Sequence, residues 1–173
     1  MTDAIVLGID PGLRICGWGV VRGGTRGEFI AAGTVRPRPS DPITNRLLVL
    51  YNAISELIQA HGVVEVAIED PFVGAIQPAS ALAIGQARAA AVLAAASAGL
   101  EVSFYAPAAV KSAVSGYGRS DKAQVQSMVK ALLSLDAVPE PADAADALAV
   151  AICHLNNRRM NNLERATRAA GRR

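Results

Sequence analysis

Five short apolar runs set the terms on which this 173-residue chain can fold. The first, AIVLGID at residues 4–10, stops at Asp10 and reads as a buried strand. GWGVVRG (17–23) and GEFIAAGTVR (27–36) follow after glycine punctuation and predict two more strands in an antiparallel meander. VVEVAIE (63–69) is a fourth strand that ends on Glu69, and LEVSFYA (100–106) a fifth. Helical periodicity separates the last three. Ile43, Leu47, Leu50, Ile54 and Leu57 recur at helical spacing, with Asp41 as the expected N-cap, Pro42 in the first turn and His61-Gly62 as the stop. An alanine-rich helix is predicted over 79–98, closed by Gly99, and everything after residue 107 reads as helix and loop. Three strands in succession, then strands alternating with helices, define an α/β fold: a five-stranded mixed sheet with helices packed on it.

At 51% hydrophobic content the chain can bury a full core, and it is read as one domain over residues 1–157. Cys16 and Cys153 lie in apolar surroundings without disulfide or metal spacing, which fits core positions in a reducing compartment. With no secretory leader visible and no apolar run of about 20 residues, the expectation is a cytoplasmic protein without membrane contact. Charge is uneven. Residues 157–173 hold six arginines against one glutamate, so the rest of a chain whose net charge is +2 carries −3. The basic tail, 158–173, lacks an apolar face and is expected to be partly disordered or to add nonspecific phosphate contacts.

The chemistry lies in where the acids fall. Asp10 and Glu69 each end a strand just where its apolar run stops; parallel neighbouring strands would present both at the carboxyl edge of a sheet, where α/β proteins place their sites. PADAADALAVAICH, residues 141–154, reads as a buried helix carrying Asp143 and Asp146 on one face of its first turn. One of these would serve as a cap or dipole partner, but two adjacent negative charges repel unless a cation lies between them. Four carboxylates from three segments would form an oxygen-ligand site for hard divalent cations. Two such ions, roughly 3.5–4 Å apart, activate water and stabilise the leaving oxygen of a phosphodiester. Asp10 alone equally suits a turn; the ordered set of strand Asp, strand Glu and helical D-x-x-D is far more specific.

Five stretches carry a family resemblance: GIDPGLRICGWGVV, VAIEDPF, SALAIGQARAAA, YAPAAVKSAVSGYGRSDKAQVQSMV and PADAADALAVAICH. In this order, over about residues 4–156, the chain resembles the RuvC family of Holliday-junction resolvases, which have the ribonuclease H-like fold. The resemblance implies that Asp10, Glu69, Asp143 and Asp146 are the catalytic, metal-binding carboxylates. It implies Mg²⁺, two ions per site with Mn²⁺ able to substitute, and a homodimer that makes paired nicks in four-way DNA junctions. Products would carry 5′-phosphate and 3′-hydroxyl ends, and the work would be shared with the RuvA–RuvB branch-migration complex in recombination and repair.

Lys111 and Lys122 fall on the family's functional lysines, Lys122 with a catalytic as well as a DNA-binding role. Ammonium groups beside an acidic cleft hold phosphates, although each is also an ordinary solvated helix residue. Ser120 or Asp121 is expected to cap the helix that starts near Lys122, leaving a helix N-terminus as a phosphate seat. Arg119 suits a phosphate contact, while Phe72 and Tyr117 suit stacking on unpaired bases. Phe72 is equally at home in a core. Asp70 alternates away from Glu69 and is left out of the metal site. Arg88, within the alanine-rich helix, suits a phosphate contact or equally a carboxylate partner, His61 suits a helix C-terminus and His154 is read as structural. GAIQPAS, one residue longer than in relatives and lacking their usual asparagine, is a departure beside Phe72. Two-domain sugar-kinase and actin-like ATPases share the opening strand, but this chain has room for one such domain. A noncatalytic binding module would not need all four acids. A ribonuclease H shares the metal chemistry, and residues 107–128 argue against it through the family match.

Overall fold

The structure is a computed structural model that describes residues 3–24, 27–70 and 77–170, the last nine as helix backbone. Its order is β1 (Ile5–Asp10), β2 (Cys16–Arg22), β3 (Glu28–Val35), α1 (Ile43–His61), β4 (Glu65–Glu69), α2 (Pro78–Ser97), β5 (Val102–Tyr105), α3 (Pro107–Ser115), α4 (Lys122–Leu132) and α5 (Ala142–Ala170). The strands form one sheet in the order β3-β2-β1-β4-β5. β1, β2 and β3 are the expected antiparallel meander, and β4 and β5 join it in parallel. α1 supplies the crossover between β3 and β4, and α2 the one between β4 and β5.

Alternation along the strands divides the core in two. Leu7, Ile9, Val66 and Ile68 face α1 and α2, packing on Leu50, Ile54, Ile58 and the buried alanines of α2. Val6, Val21 and Ala67 face the other way, onto α3, α4 and α5. α5 is the spine of that second layer: Ala144, Ala145, Ala147, Leu148, Ala149, Val150 and Ala151 are all buried. Its small side chains meet a matching trough. A Cβ on Gly8 would stand 2.2 Å from the Ala147 carbonyl oxygen, and one on Gly17 would stand 2.0 Å from that of Asp143. Glycine at both positions lets the α5 backbone lie directly on β1 and β2. Both cysteines are buried, and burial pushes the Cys16 thiol up to about 12.

Local chemistry departs from expectation at several helix ends. Asp41 does not cap α1: Pro42 occupies the N-cap position, while the Asp41 amide donates to the Arg38 carbonyl in a preceding turn. Gly62 ends that helix in the left-handed conformation, as its lack of a Cβ allows. α2 starts one residue early, at Pro78, whose fixed φ suits a first turn. With 20 residues it has the length and apolar composition of a membrane span, but it packs against α1 and buries Ala87, Ala90, Ala91, Ala94 and Ala95 in the domain. α5 runs through Asn157 to Ala170 without a break.

Candidate active site

The parallel pairing of β1 with β4 runs from Val6–Glu65 to Ile9–Ile68. Asp10 and Glu69 are the next residues on each strand, so they leave the sheet side by side at its carboxyl edge. α5 enters from the other layer. Its first turn rests on Gly17, which pairs with Asp10 across the β1–β2 ladder, and this brings Asp143 and Asp146 over Asp10. Asp143 lies inside the first turn of α5, past the capping position. The loop after Asp10 is fixed from the far layer by Arg46, which donates to the Leu13 carbonyl at 2.9 Å.

The acids act on one another electrostatically. Burial pushes the Asp10 carboxyl up to about 6, with Asp146 and then Asp143 adding repulsion and Lys122 opposing it. Burial likewise pushes Glu69 up to about 7, helped by Asp10 and Asp146 and opposed by Lys111 and Lys122. Lys122, the first residue of α4, places its Nζ 2.6 Å from Asp146 Oδ2. That hydrogen bond, more than the surrounding acids, holds its ammonium in the charged form. Lys111 projects from α3 into the same cleft, a cavity of about 230 Å³ bounded by Glu69, Val110, Lys122, Val125 and Asp146.

Among the described residues, no three carboxylate, imidazole or thiol groups converge closely enough to grip one ion as they stand. The donor chemistry nevertheless fits a hard divalent cation. Four carboxylates supply oxygens alone, and two of them are forced toward the neutral acid by burial and mutual repulsion, a penalty a cation would remove.

The remaining candidates separate by position. Tyr117 and Arg119 are exposed in the α3–α4 loop. The choice of cap falls to Asp121, which accepts from the Gln124 amide at 2.8 Å. Its carboxylate stands where a phosphate would sit, so the α4 N-terminus is no free anion seat. Ser120 is buried instead, bonded to Ser115 Oγ at 2.7 Å and to the Tyr117 carbonyl at 2.8 Å, and it shapes the loop. Asp70 turns away to pair with Arg88, whose guanidinium also covers the Phe104 ring. Phe72 lies outside the described residues. The sequence reading missed the company kept by His154: Tyr105 on one ring nitrogen and Glu65 on the other. No spacing rule links positions 65, 105 and 154.

A ribonuclease H-like sheet with acids converging at the carboxyl ends of β1 and β4 and on a helix across them defines a class of phosphodiester-directed domains. Comparison with known proteins narrows it. Residues 6–154 match the family model described as crossover junction endodeoxyribonuclease RuvC. The RuvC protein of Maricaulis maris is 52% identical over 159 residues, spanning 91% of this chain and 94% of that protein. That of Koribacter versatilis is 49% identical, spanning 87% and 92%. The Thermus thermophilus RuvC structure in complex with Holliday junction substrate superposes with a TM-score of 0.86 at 34% identity, covering 91% of this chain and 96% of that one. A yeast mitochondrial Holliday junction resolvase, Ydc2, shares the fold at a TM-score of 0.67 and 14% identity, covering 90% of this chain and 79% of that one. The chain belongs to the RuvC family of crossover junction endodeoxyribonucleases.

Proposed function

We propose that the acidic cleft between β1, β4 and α5 is the catalytic centre of a Holliday-junction resolvase, an endonuclease that nicks four-way DNA junctions in pairs during recombination and repair. The observation that carries this reading is the meeting of Asp10, Glu69, Asp143 and Asp146 at one sheet edge, with Lys111 and Lys122 over them. Nucleases of this family are metal-dependent; here the metal is taken to be Mg²⁺, two ions per site, with Mn²⁺ able to replace it. Asp10, Glu69, Asp143 and Asp146 would hold the ions. When bound, they supply an activated water and neutralise charge at the scissile phosphate.

The protein's own groups do the rest. The Lys111 and Lys122 ammonium groups draw a backbone phosphate toward the acids, and Lys122 faces charge developing at the scissile phosphate. Arg119 takes a neighbouring phosphate, and Tyr117 offers a face for an unstacked base. Phe72 is assigned a similar stacking role by family resemblance.

Paired nicks require two centres. On α2, Leu82 and Leu93 are exposed eleven residues apart, which places them on one helix face. Phe104 on β5 is exposed beside that helix, where it shares a shallow surface with Gly85, Ala89 and Leu93. This apolar face suits a homodimer. Cooperation with RuvA–RuvB and action in the cytoplasm complete the reading.

The test is cleavage of a labelled synthetic junction with Mg²⁺, beside a linear duplex and an RNA–DNA hybrid, with Asp146→Asn in parallel. Symmetric nicks in the junction alone, abolished in the variant, are expected. Junction binding without cutting, or cutting of the hybrid alone, would overturn the assignment.

A further inference from the structure

α5 carries half of the acids and lies on the sheet along a close glycine–alanine seam. Gly8 and Gly17 meet the backbone of α5, and alanine dominates its buried face. Such a seam favours close approach, with Leu148 seated over Gly19 and Leu155 against Gly23. At its open end Glu69 of β4 and Asp146 of α5 each face other carboxylates, with Lys122 set against Asp146.

The opposite end is bolted. Glu65 precedes Glu69 by four residues, about 13 Å along β4, and shares its face of the sheet. His154 follows Asp146 by eight residues, about 12 Å along α5. The two spans match, and where they meet His154 Nε2 lies 2.7 Å from Glu65 Oε2, while Arg158 Nε donates to Glu65 Oε1 at 2.9 Å. Both carboxylate oxygens are engaged. On the other side of the ring, Nδ1 lies 2.9 Å from the Tyr105 hydroxyl. Tyr105 is the strand neighbour of Glu69 on β5. Glu65 accepts from Nε2–H, and the Tyr105 hydroxyl pairs with Nδ1, so the ring bridges β4 and β5. His154 is 8% exposed, and with Tyr105, Glu65 and Arg158 it lines a cavity of about 540 Å³.

We propose that the Tyr105–His154–Glu65 hydrogen-bond chain, with Arg158, is a positioning clamp that fixes the depth and rotation of α5, and so sets the spacing of Asp143 and Asp146 from Asp10 and Glu69. It rests on the assignment of the acidic cleft as the catalytic centre. None of the four residues touches DNA or metal in this account; they act through the helix.

The test compares Tyr105→Phe, His154→Ala and His154→Gln with the wild type and Asp146→Asn in single-turnover junction cleavage, with junction Kd measured in EDTA. Misplacing a reacting group by about 1 Å costs on the order of a hundredfold, so His154→Ala is expected to lose about ten- to a hundredfold in rate. Its Kd should stay within about twofold, and the Mn²⁺ concentration for half-maximal rate should rise. His154→Gln, which keeps a donor toward Glu65, recovers part of the loss. Tyr105→Phe, which deletes one hydroxyl, slows cleavage and settles the matter if His154→Ala does not fold. Wild-type rates in Tyr105→Phe and His154→Gln, whatever their melting temperatures, would overturn the clamp. Should Asp146→Asn cut at the wild-type rate, the catalytic assignment itself falls, and the clamp with it.

Discussion

The Lys122 ammonium sits 2.6 Å from Asp146 Oδ2 at the mouth of the acidic cleft it shares with Lys111 and Glu69. The same ammonium lowers both Asp10 and Glu69 against their burial. Lys122 thus serves as a counter-charge to the carboxylates of the cleft.

Replacing it should therefore separate two quantities. Lys122→Met is expected to cut junction cleavage by roughly a hundredfold or more, the scale of losing one group that stabilises transition-state charge. Mn²⁺ binding to junction-free protein, read by calorimetry, should tighten by a few-fold, since a competing charge has been removed. Weaker Mn²⁺ binding in Lys122→Met would show that the lysine supports the metal site and does not compete for it.

The acids should destabilise the metal-free fold at neutral pH. Asp10 and Glu69 bind protons more tightly folded than unfolded, their carboxyls standing at about 6 and about 7 against ordinary values of 3.8 and 4.5. The stability they contribute is complete below about pH 4 and is lost as pH rises through 6 and 7. In EDTA, Asp10→Asn is expected to be more stable than wild type at pH 8, by on the order of 2–3 kcal/mol, with a correspondingly higher Tm, and no more stable at pH 4. A Tm gain independent of pH would contradict this account.

Gly17 tests the docking of α5. Its Cβ would stand 2.0 Å from the Asp143 carbonyl oxygen, so Gly17→Ala must lift the first turn of the helix. Overpacking of this kind costs about 1–3 kcal/mol in urea titrations. Cleavage at saturating junction should fall by more than about tenfold in protein that remains folded, because Asp143 and Asp146 move with that turn.

The apolar face of α2 and β5 should decide the oligomer. Leu93→Glu places a charge among Phe104, Ala89 and Gly85. Sedimentation should turn from dimer to monomer, with paired cuts replaced by slow single nicks. A variant that stays dimeric would move the interface elsewhere.

Much of this molecule was legible along the chain, for a local reason. A strand buried on both faces is a short apolar run, and the residue that stops it is printed in the same few letters. Asp10 and Glu69 stood out that way, and the i, i+3 spacing of Asp143 and Asp146 put both on one face before any packing was known. The five strands, the meander and the two crossover helices followed from glycine, proline and period. Helix ends were read less well. Ser120 and Asp121 are both good caps by type, and only the burial of Ser120 against Ser115 and Tyr117 leaves the role to Asp121.

The tertiary structure alone decided what depends on segments meeting. Gly8 and Gly17 are ordinary strand glycines until α5 lies on them. Lys122 finds Asp146 because α4 folds back across α5, and Arg46 reaches Leu13 from another layer. His154 was a plain helix residue to the sequence reading, and its partners at 65 and 105 are joined to it by no period of 2 or 3.6. Backbone periodicity carries information over a few residues, so it placed each acid on its own element. Distances between elements are set by close packing of side chains from distant parts of the chain, and that packing assembled the site.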